Sequence, residues 1–187
     1  TSNPFDIFNS PLVVTNTNDS GAGSLRQAIF NANNTLGATI SFNLPGTAPF
    51  TITPLTELPM VGPFTTIDGT SQSEYAAGPV IEINGISAGA NAYGLRLSAD
   101  ATVKGLAINR FGRAGMELGS SRNTVQGNYI GTDITGTLAR PNGEGILINS
   151  GNNLIGGTAV AARNVISGNS QKGIKISGPN NGINTVI

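Results

Sequence analysis

The 187-residue chain has no cysteine, no histidine and no tryptophan. Without cysteine there are no disulfides, no thiol catalysis and no thiolate-ligated zinc. Without histidine there is no imidazole base, no Ser-His-Asp triad and almost none of the usual transition-metal sites. Aromatics make up only 5% of the residues, and charged residues 11%, with ten basic against ten acidic. That balance gives no global reason to invoke nucleic acid or an anionic membrane. No apolar run approaches the roughly 18 residues that span a bilayer, so no membrane insertion is expected. The opening Thr1-Ser2-Asn3-Pro4 is neither an initiator Met nor a signal peptide, and predicts a processed or excised chain. In place of the missing types stand 26 Gly and 22 Asn, the composition of a chain with many turns. Its length suits one domain.

Helical periodicity occurs once. Ser24 stands at an N-cap position with Gln27 three residues on, a capping-box pattern, followed by Ala28, Ile29, Phe30 and Ala32 before Asn33-Asn34. Leu25, Ile29 and Phe30 are expected to face the first coil of the strand-rich remainder, because an uncovered core end would leave apolar groups in water. Beyond that helix every segment reads as a short strand. Four segments repeat: Gly94-Leu95-Arg96-Leu97, Gly115-Met116-Glu117-Leu118, Gly145-Ile146-Leu147-Ile148 and Gly173-Ile174-Lys175-Ile176. Each is followed by a second strand near 102, 123, 153 and 184, and the first three by a third strand near 106, 128 and 164. The glycines lie 21, 30 and 28 residues apart, the excess falling in inserts at 132–142 and 158–163. Units of three short strands bury their apolar faces by stacking. The chain is therefore expected to be all-β: a right-handed parallel β-helix (solenoid) with a short N-terminal capping helix. Residues 1–36 form the N-terminal strand and cap, and 37–187 the coils, continuous with the cap as one domain. Period-two alternation turns Leu95, Leu97, Met116, Leu118, Ile146, Ile148, Ile174 and Ile176 inward. Gly and Asn suit the corners, and Asn can stack in ladders.

The stretch Val14-Thr15-Asn16-Thr17-Asn18-Asp19-Ser20-Gly21-Ala22-Gly23-Ser24-Leu25-Arg26-Gln27-Ala28-Ile29 resembles the N-terminal segment of bacterial secreted and cell-surface β-helix proteins, where a Cys-Ser-Leu-Arg-Glu-Ala motif is common. Here Gly23 stands for the Cys and Gln27 for the Glu. Gly127-Asn128-Tyr129-Ile130-Gly131-Thr132-Asp133 and Ala162-Arg163-Asn164-Val165-Ile166-Ser167-Gly168-Asn169 resemble coil motifs of the same proteins. The resemblance implies an extracellular or cell-surface setting and a helix over the open end of the first coil. It implies no single activity.

Polysaccharide enzymes on this fold need paired carboxylates or calcium-binding acids with a basic partner. The chain has no adjacent acidic pair and no Asp-x-Asp, and Glu117, Asp133 and Glu144 come nearest to a constellation. Aligning the repeats makes Arg96, Glu117, Leu147 and Lys175 an outward stripe, expected to be a solvated face with one charged residue in most turns. Asp68-Gly69, Asp19-Ser20-Gly21 and Gly156-Gly157-Thr158 read as turns. Tyr93, Phe111 and Tyr129 read as core or loop anchors before sugar platforms. Regular outward threonine ranks of the ice-binding kind are not expected, because Thr51, Thr53 and Thr65-Thr66 do not continue through the later repeats. The candidate ligand or self-contact residues are Arg96, Glu117, Lys175, Tyr129, Asp133 and Arg163; the cap residues are Ser24, Leu25, Gln27 and Ile29. No catalytic residue, metal or cofactor is expected. The expected role is a non-catalytic structural or adhesive surface module, with polysaccharide binding or cleavage as the alternative.

The zero net charge hides a split. Residues 1–93 carry one basic and six acidic residues, and residues 94–187 nine basic and four acidic. The chain closes on Asn184-Thr185-Val186-Ile187, the second strand of an unfinished turn. It is therefore expected to be either a piece of a longer β-helix, or a subunit whose acidic end docks on the basic end of another copy. The second contact is heterologous and builds filaments.

Overall fold

Triplets such as Thr102-Val103-Lys104 and Thr124-Val125-Gln126 put a β-branched residue between two polar ones, which suits a short strand with one buried face. Val103 and Val125 are fully buried and their neighbours half-exposed. The computed structural model describes residues 12–177 and 183–186. Along the chain these form β1 (Val13–Val14), α1 (Leu25–Ala32), β2 (Thr39–Phe42), β3 (Phe50–Ile52), β4 (Thr66–Asp68) and β5 (Ile81–Asn84). From there the repeats contribute β6 (Leu95–Leu97), β7 (Thr102–Lys104), β8 (Leu106–Asn109), β9 (Ala114–Leu118), β10 (Thr124–Gln126) and β11 (Tyr129–Ile130). The last strands are β12 (Glu144–Ile148), β13 (Leu154–Ile155), β14 (Val165–Ile166), β15 (Ile174–Ile176) and β16 (Thr185–Val186).

All named strands pair in parallel, in three sheets. The first has the order β1-β2-β4-β7-β10-β13-β16, the second β14-β11-β8-β5-β3 and the third β15-β12-β9-β6. From β6 onward the chain visits the third, first and second sheets in strict rotation. Before β6 the third sheet has no named strand, but Val61 forms a parallel bridge to Leu97 and so occupies the corresponding place. Among the described residues the protein is thus mostly β, in parallel sheets, with one α-helix. No helix among the described residues is long and apolar enough to cross a membrane.

One apolar cluster runs from Val14 and Ile29 to Ile148 and Ile155. Leu95, Leu97, Met116, Leu118, Ile146 and Ile148 are buried as expected. Ile174 and Ile176 depart from the expectation: Ile174 is half-buried and Ile176 is 48% exposed. β15 is the edge strand of its sheet, so its side chains lack the neighbour that closes over Ile146.

α1 packs on β1 and β2, with Leu25, Ala28, Ile29 and Ala32 buried. Phe30 corrects the sequence reading. It is 61% exposed, because one residue is about 100° of helical rotation and carries it off the face defined by Leu25, Ile29 and Ala32. The capping box is also only half formed. The Gln27 amide N–H donates to Ser24 Oγ at 3.2 Å, but the Gln27 side chain reaches forward to Asn31 and the Ser24 amide donates to the Gly21 carbonyl.

Three of the four repeated glycines, Gly94, Gly115 and Gly145, answer a packing demand, whereas a Cβ at Gly173 on the edge strand would meet only ordinary contacts at 3.6 Å or more. A Cβ at Gly94 would stand 2.3 Å from the Gly115 carbonyl oxygen, and one at Gly145 would stand 2.2 Å from that of Gly173. Only a residue without a side chain admits the next strand there.

The corners are built from asparagine. At the corner before the first sheet, the Asn123 amide and Nδ2 both donate to Asn153 Oδ1, and the Asn153 amide and Nδ2 to Asn184 Oδ1, all between 2.9 and 3.0 Å. Asn128 donates to Asn164 Oδ1 before the second sheet, and Asn142 to Asn169 Oδ1 before the third. The three ladders begin together, where Asn123, Asn128 and Asn142 accept from the amides of Ala101, Leu106 and Phe111. At the first of these corners the left-handed residues are not the ladder asparagines but Phe64, Asp100, Arg122 and Asn152, with φ between 58° and 62°. The ladder asparagines are used there for their side-chain amides, and the left-handed conformation falls on the residue before Asn123 and on the residue before Asn153.

Candidate functional site

Pairing in the third sheet aligns Arg96 with Glu117, Glu117 with Leu147 and Leu147 with Lys175. The stripe expected from the repeats therefore exists, but it is not a solvated row. Glu117 is only 8% and Leu147 only 7% exposed. Leu147 packs with Tyr93 and Ala114, and Glu117 accepts hydrogen bonds from Arg96 Nε and from Asn149 Nδ2 at 3.0 Å. Arg96 also pairs with Glu57 at 3.5 Å, and Glu57 accepts from the Tyr93 amide.

Tyr93 is mostly buried and contributes to the lining of a polar cleft. The guanidiniums of Arg96 and Arg113 lie 5.2 and 4.8 Å from its ring centre, within cation–π range. Burial pushes its phenol up, and Glu117 adds to the shift. The hydrogen bond from Arg96 to Glu117 likewise raises the guanidinium above its ordinary value. Further along, Lys175 Nζ pairs with Glu144 at 2.8 Å, beside a polar cleft of about 210 Å³ that Arg113 and Gln171 also line. Each carboxylate of this face is held by a cation. The arrangement fixes charge in ion pairs.

The other candidate residues lie elsewhere. Asp133 organises the 132–142 insert: its Oδ1 accepts from the Thr135 hydroxyl at 2.7 Å and from the Thr137 and Leu138 amides. Burial pushes the Asp133 carboxyl up, and these donors together outweigh it and hold the carboxyl below its ordinary value. Tyr129 sits on β11, and added Cβ atoms at Gly78 and Gly136 would stand 2.9 and 3.0 Å from it. It is a loop anchor, wedged between two segments. Arg163 is exposed and lines a depression together with Tyr75 and Tyr129. Arg96, Glu117 and Lys175 thus share one face, while Tyr129, Arg163 and the Asp133 insert lie apart from it beside the second sheet, with Gly136 of the insert against Tyr129. Among the described residues no group of three acidic side chains could hold a metal ion.

A feature the sequence reading missed lies outside the first sheet. Thr39 pairs with Thr66, Thr66 with Thr102 and Thr102 with Thr124; Leu154 interrupts the rank before Thr185. The rank is one threonine wide and is broken at Leu154, so it is not the regular Thr-x-Thr array through the later repeats that the sequence argued against. Two residues on, Asp68, Lys104 and Gln126 form a second row on the same face. Lys104 Nζ pairs with Asp68 at 3.0 Å. A cleft of about 390 Å³ opens there, lined by Thr70, Tyr75, Lys104, Gln126, Ala159, Ala161 and Ala162. The signal in the sequence was the pair Thr-Ile or Thr-Val at β2, β4, β7, β10 and β16, hidden by unequal spacing.

No protein-family model matches the chain, and a search of curated proteins finds no significant match.

Proposed function

We propose that the three sheets wind as a right-handed parallel β-helix, and that the chain is a non-catalytic structural or adhesive module of a bacterial extracellular or cell-surface protein, extending by head-to-tail association. The strict rotation of strands through three sheets supports the winding. Its hand follows the general preference of parallel crossovers. The observation that carries the structural reading is the set of three asparagine ladders starting in one turn and running side by side through the later ones. Such repeated links stiffen a stack without shaping a reaction centre. The surface setting rests on the resemblance of residues 14–29 to surface β-helix proteins.

Head-to-tail contact draws support from both ends. β14, β15 and β16 are edge strands at one end of their sheets, and Ile176, Ile183 and Val186 are exposed beside them. At the other end Phe30 and Leu36 are exposed, at 61% and 81%. The excess of acid before residue 94 and of base after it favours one polarity. Light scattering and electron microscopy of the chain at several salt concentrations test this reading. Polar rods that lengthen at low salt are expected. A strict monomer at high protein concentration and low salt overturns the association.

A further inference from the structure

We infer that the outer face of the first sheet is a binding site for a neutral, linear polysaccharide lying along the stack, across the strands. This inference does not depend on self-association. Alternation around the buried Ile67, Val103 and Val125 turns Thr66, Thr102 and Thr124 outward in register. Their side chains are half-exposed. Among the described residues none of these three hydroxyls has a partner. Strands in register lie about 4.8 Å apart, so the three hydroxyls span about 10 Å. They form a row of donors and acceptors on the scale of a disaccharide repeat.

The row is bordered by a cleft of about 390 Å³, in the range that encloses small ligands. Tyr75 supplies its aromatic wall, half-buried, with the phenol pushed up by burial. An aromatic wall beside polar groups offers a stacking surface to a pyranose ring. Lys104 and Gln126 stand two residues beyond Thr102 and Thr124 on the same face. Gln126 Nε2 is engaged with the Gly156 carbonyl, and its carbonyl oxygen is the acceptor left for a sugar hydroxyl. Charge selects the class of polymer. Asp68 neutralises Lys104 at 3.0 Å and is itself held by the Thr70 amide and hydroxyl. The one cation in the lining of this cleft is thus already paired and offers little to a uronate chain, whereas a neutral chain matches the hydroxyl row.

Calorimetric titration of the full chain with cellohexaose, mannohexaose and chitohexaose, and with hexagalacturonate as the charged counterpart, tests the site. Saturable binding of at least one neutral hexasaccharide is expected. Tyr75→Ala should weaken it roughly tenfold, by loss of the stacking wall. The shape-conserving double variant Thr102→Val/Thr124→Val should weaken it about three- to tenfold with an unchanged melting temperature. That variant keeps the test decisive if Tyr75→Ala disturbs its loop. Failure of every neutral hexasaccharide to bind at millimolar concentration overturns the inference. So does tighter binding of hexagalacturonate, or undiminished binding by a folded Thr102→Val/Thr124→Val protein.

Discussion

Between residues 12 and 93 each long-range polar contact occurs once, whereas from residue 94 onward the same contact recurs turn after turn. In the first region the Gln72 side chain both accepts from the Leu44 amide and donates to its carbonyl. Arg26 clasps Asp19 and the Thr56 and Glu57 carbonyls, and Asn33 bridges Met60 and Gly62. In the second region Asn123, Asn153 and Asn184 perform one job in succession. The difference shows two ways to stack parallel strands. Where turn lengths vary, single side chains reach across loops. Where the corners are constant, even with inserts between them, one residue type at one corner satisfies the buried amide of the turn before it, and each added turn extends the ladder. The two regions are joined by one continuous core and by the ion pairs Glu57–Arg96 and Asp68–Lys104.

The largest effect is expected where that continuity is attacked. Ile146 is fully buried, and Ile146→Asp would place an unpaired carboxylate in the core, at a cost of about 4 kcal/mol or more. Because the core is shared, hydrogen exchange read by mass spectrometry should show protection lost both at β12 and at β2. Loss confined to residues after 94 would divide the molecule into two independently stable regions. Deleting residues 12–36 attacks the other end. It removes Val14, Leu25 and Ile29, all fully buried, and exposes the edge of β2. Aggregation is expected, and a soluble monomer with an unchanged sheet spectrum would show that α1 is dispensable.

The ladders themselves can be weighed against a single cap. Asn153→Ala leaves the Asn123 amide without its acceptor and removes the links to Asn184 and the Ser150 carbonyl. About 2–4 kcal/mol is expected, since buried donors lose their partners. Asn84→Ala in the first region removes only the side-chain cap on the Ile86 amide and should cost about 1 kcal/mol. Equal losses in chemical denaturation would erase the distinction between repeated and single contacts.

The repeated region was largely legible because one register explains several residues at once. The glycines at 94, 115, 145 and 173 align the stripe Arg96, Glu117, Leu147 and Lys175 without further information, and the pairing agrees. Burial of that stripe was not legible. It depends on Tyr93, two residues before the strand, and on Asn149 in the turn above the Glu117 strand, and neither belongs to the repeated motif. The threonine rank escaped for the opposite reason. Its members sit in turns of unequal length, so their alignment appears only once Thr66 is seen opposite Thr102. In the first region Val61 stands in for a strand through one bridge, which leaves no alternation to read.

Acid should act on both regions with the same sign. Asp19, hydrogen-bonded by Arg26 and by the Leu55 amide, is held below its ordinary value of 3.8, and Asp133 is lowered in the second region. A carboxyl depressed in the folded state contributes stability that is present above the ordinary value and is lost as pH falls through the folded one. Melting temperature should therefore fall below about pH 4. Asp19→Asn should flatten the part of that slope that comes from the first region. A slope unchanged in Asp19→Asn would place the acid sensitivity elsewhere.

The smallest effect compares one corner in the two regions. Phe64 and Arg122 both adopt the left-handed conformation two residues before a first-sheet strand, with φ of 58° and 62°. That backbone costs an L-residue roughly 1 kcal/mol or more, and glycine adopts it freely, offset in part by glycine's greater freedom when unfolded. Phe64 is 51% exposed, so Phe64→Gly gives up little burial and should stabilise the protein by about 0.5–1 kcal/mol. Arg122→Gly relieves the same backbone but removes the two-pronged pair from Arg122 to Asp100, both bonds at 2.7 Å. That exposed pair offsets part of the relief, so the melting temperature should move less than in Phe64→Gly. Stabilisation by Arg122→Gly as large as that by Phe64→Gly would mean that the Asp100 pair contributes nothing. Destabilisation by Phe64→Gly would mean that the ring, though half in solvent, holds the irregular corner of the first region in place.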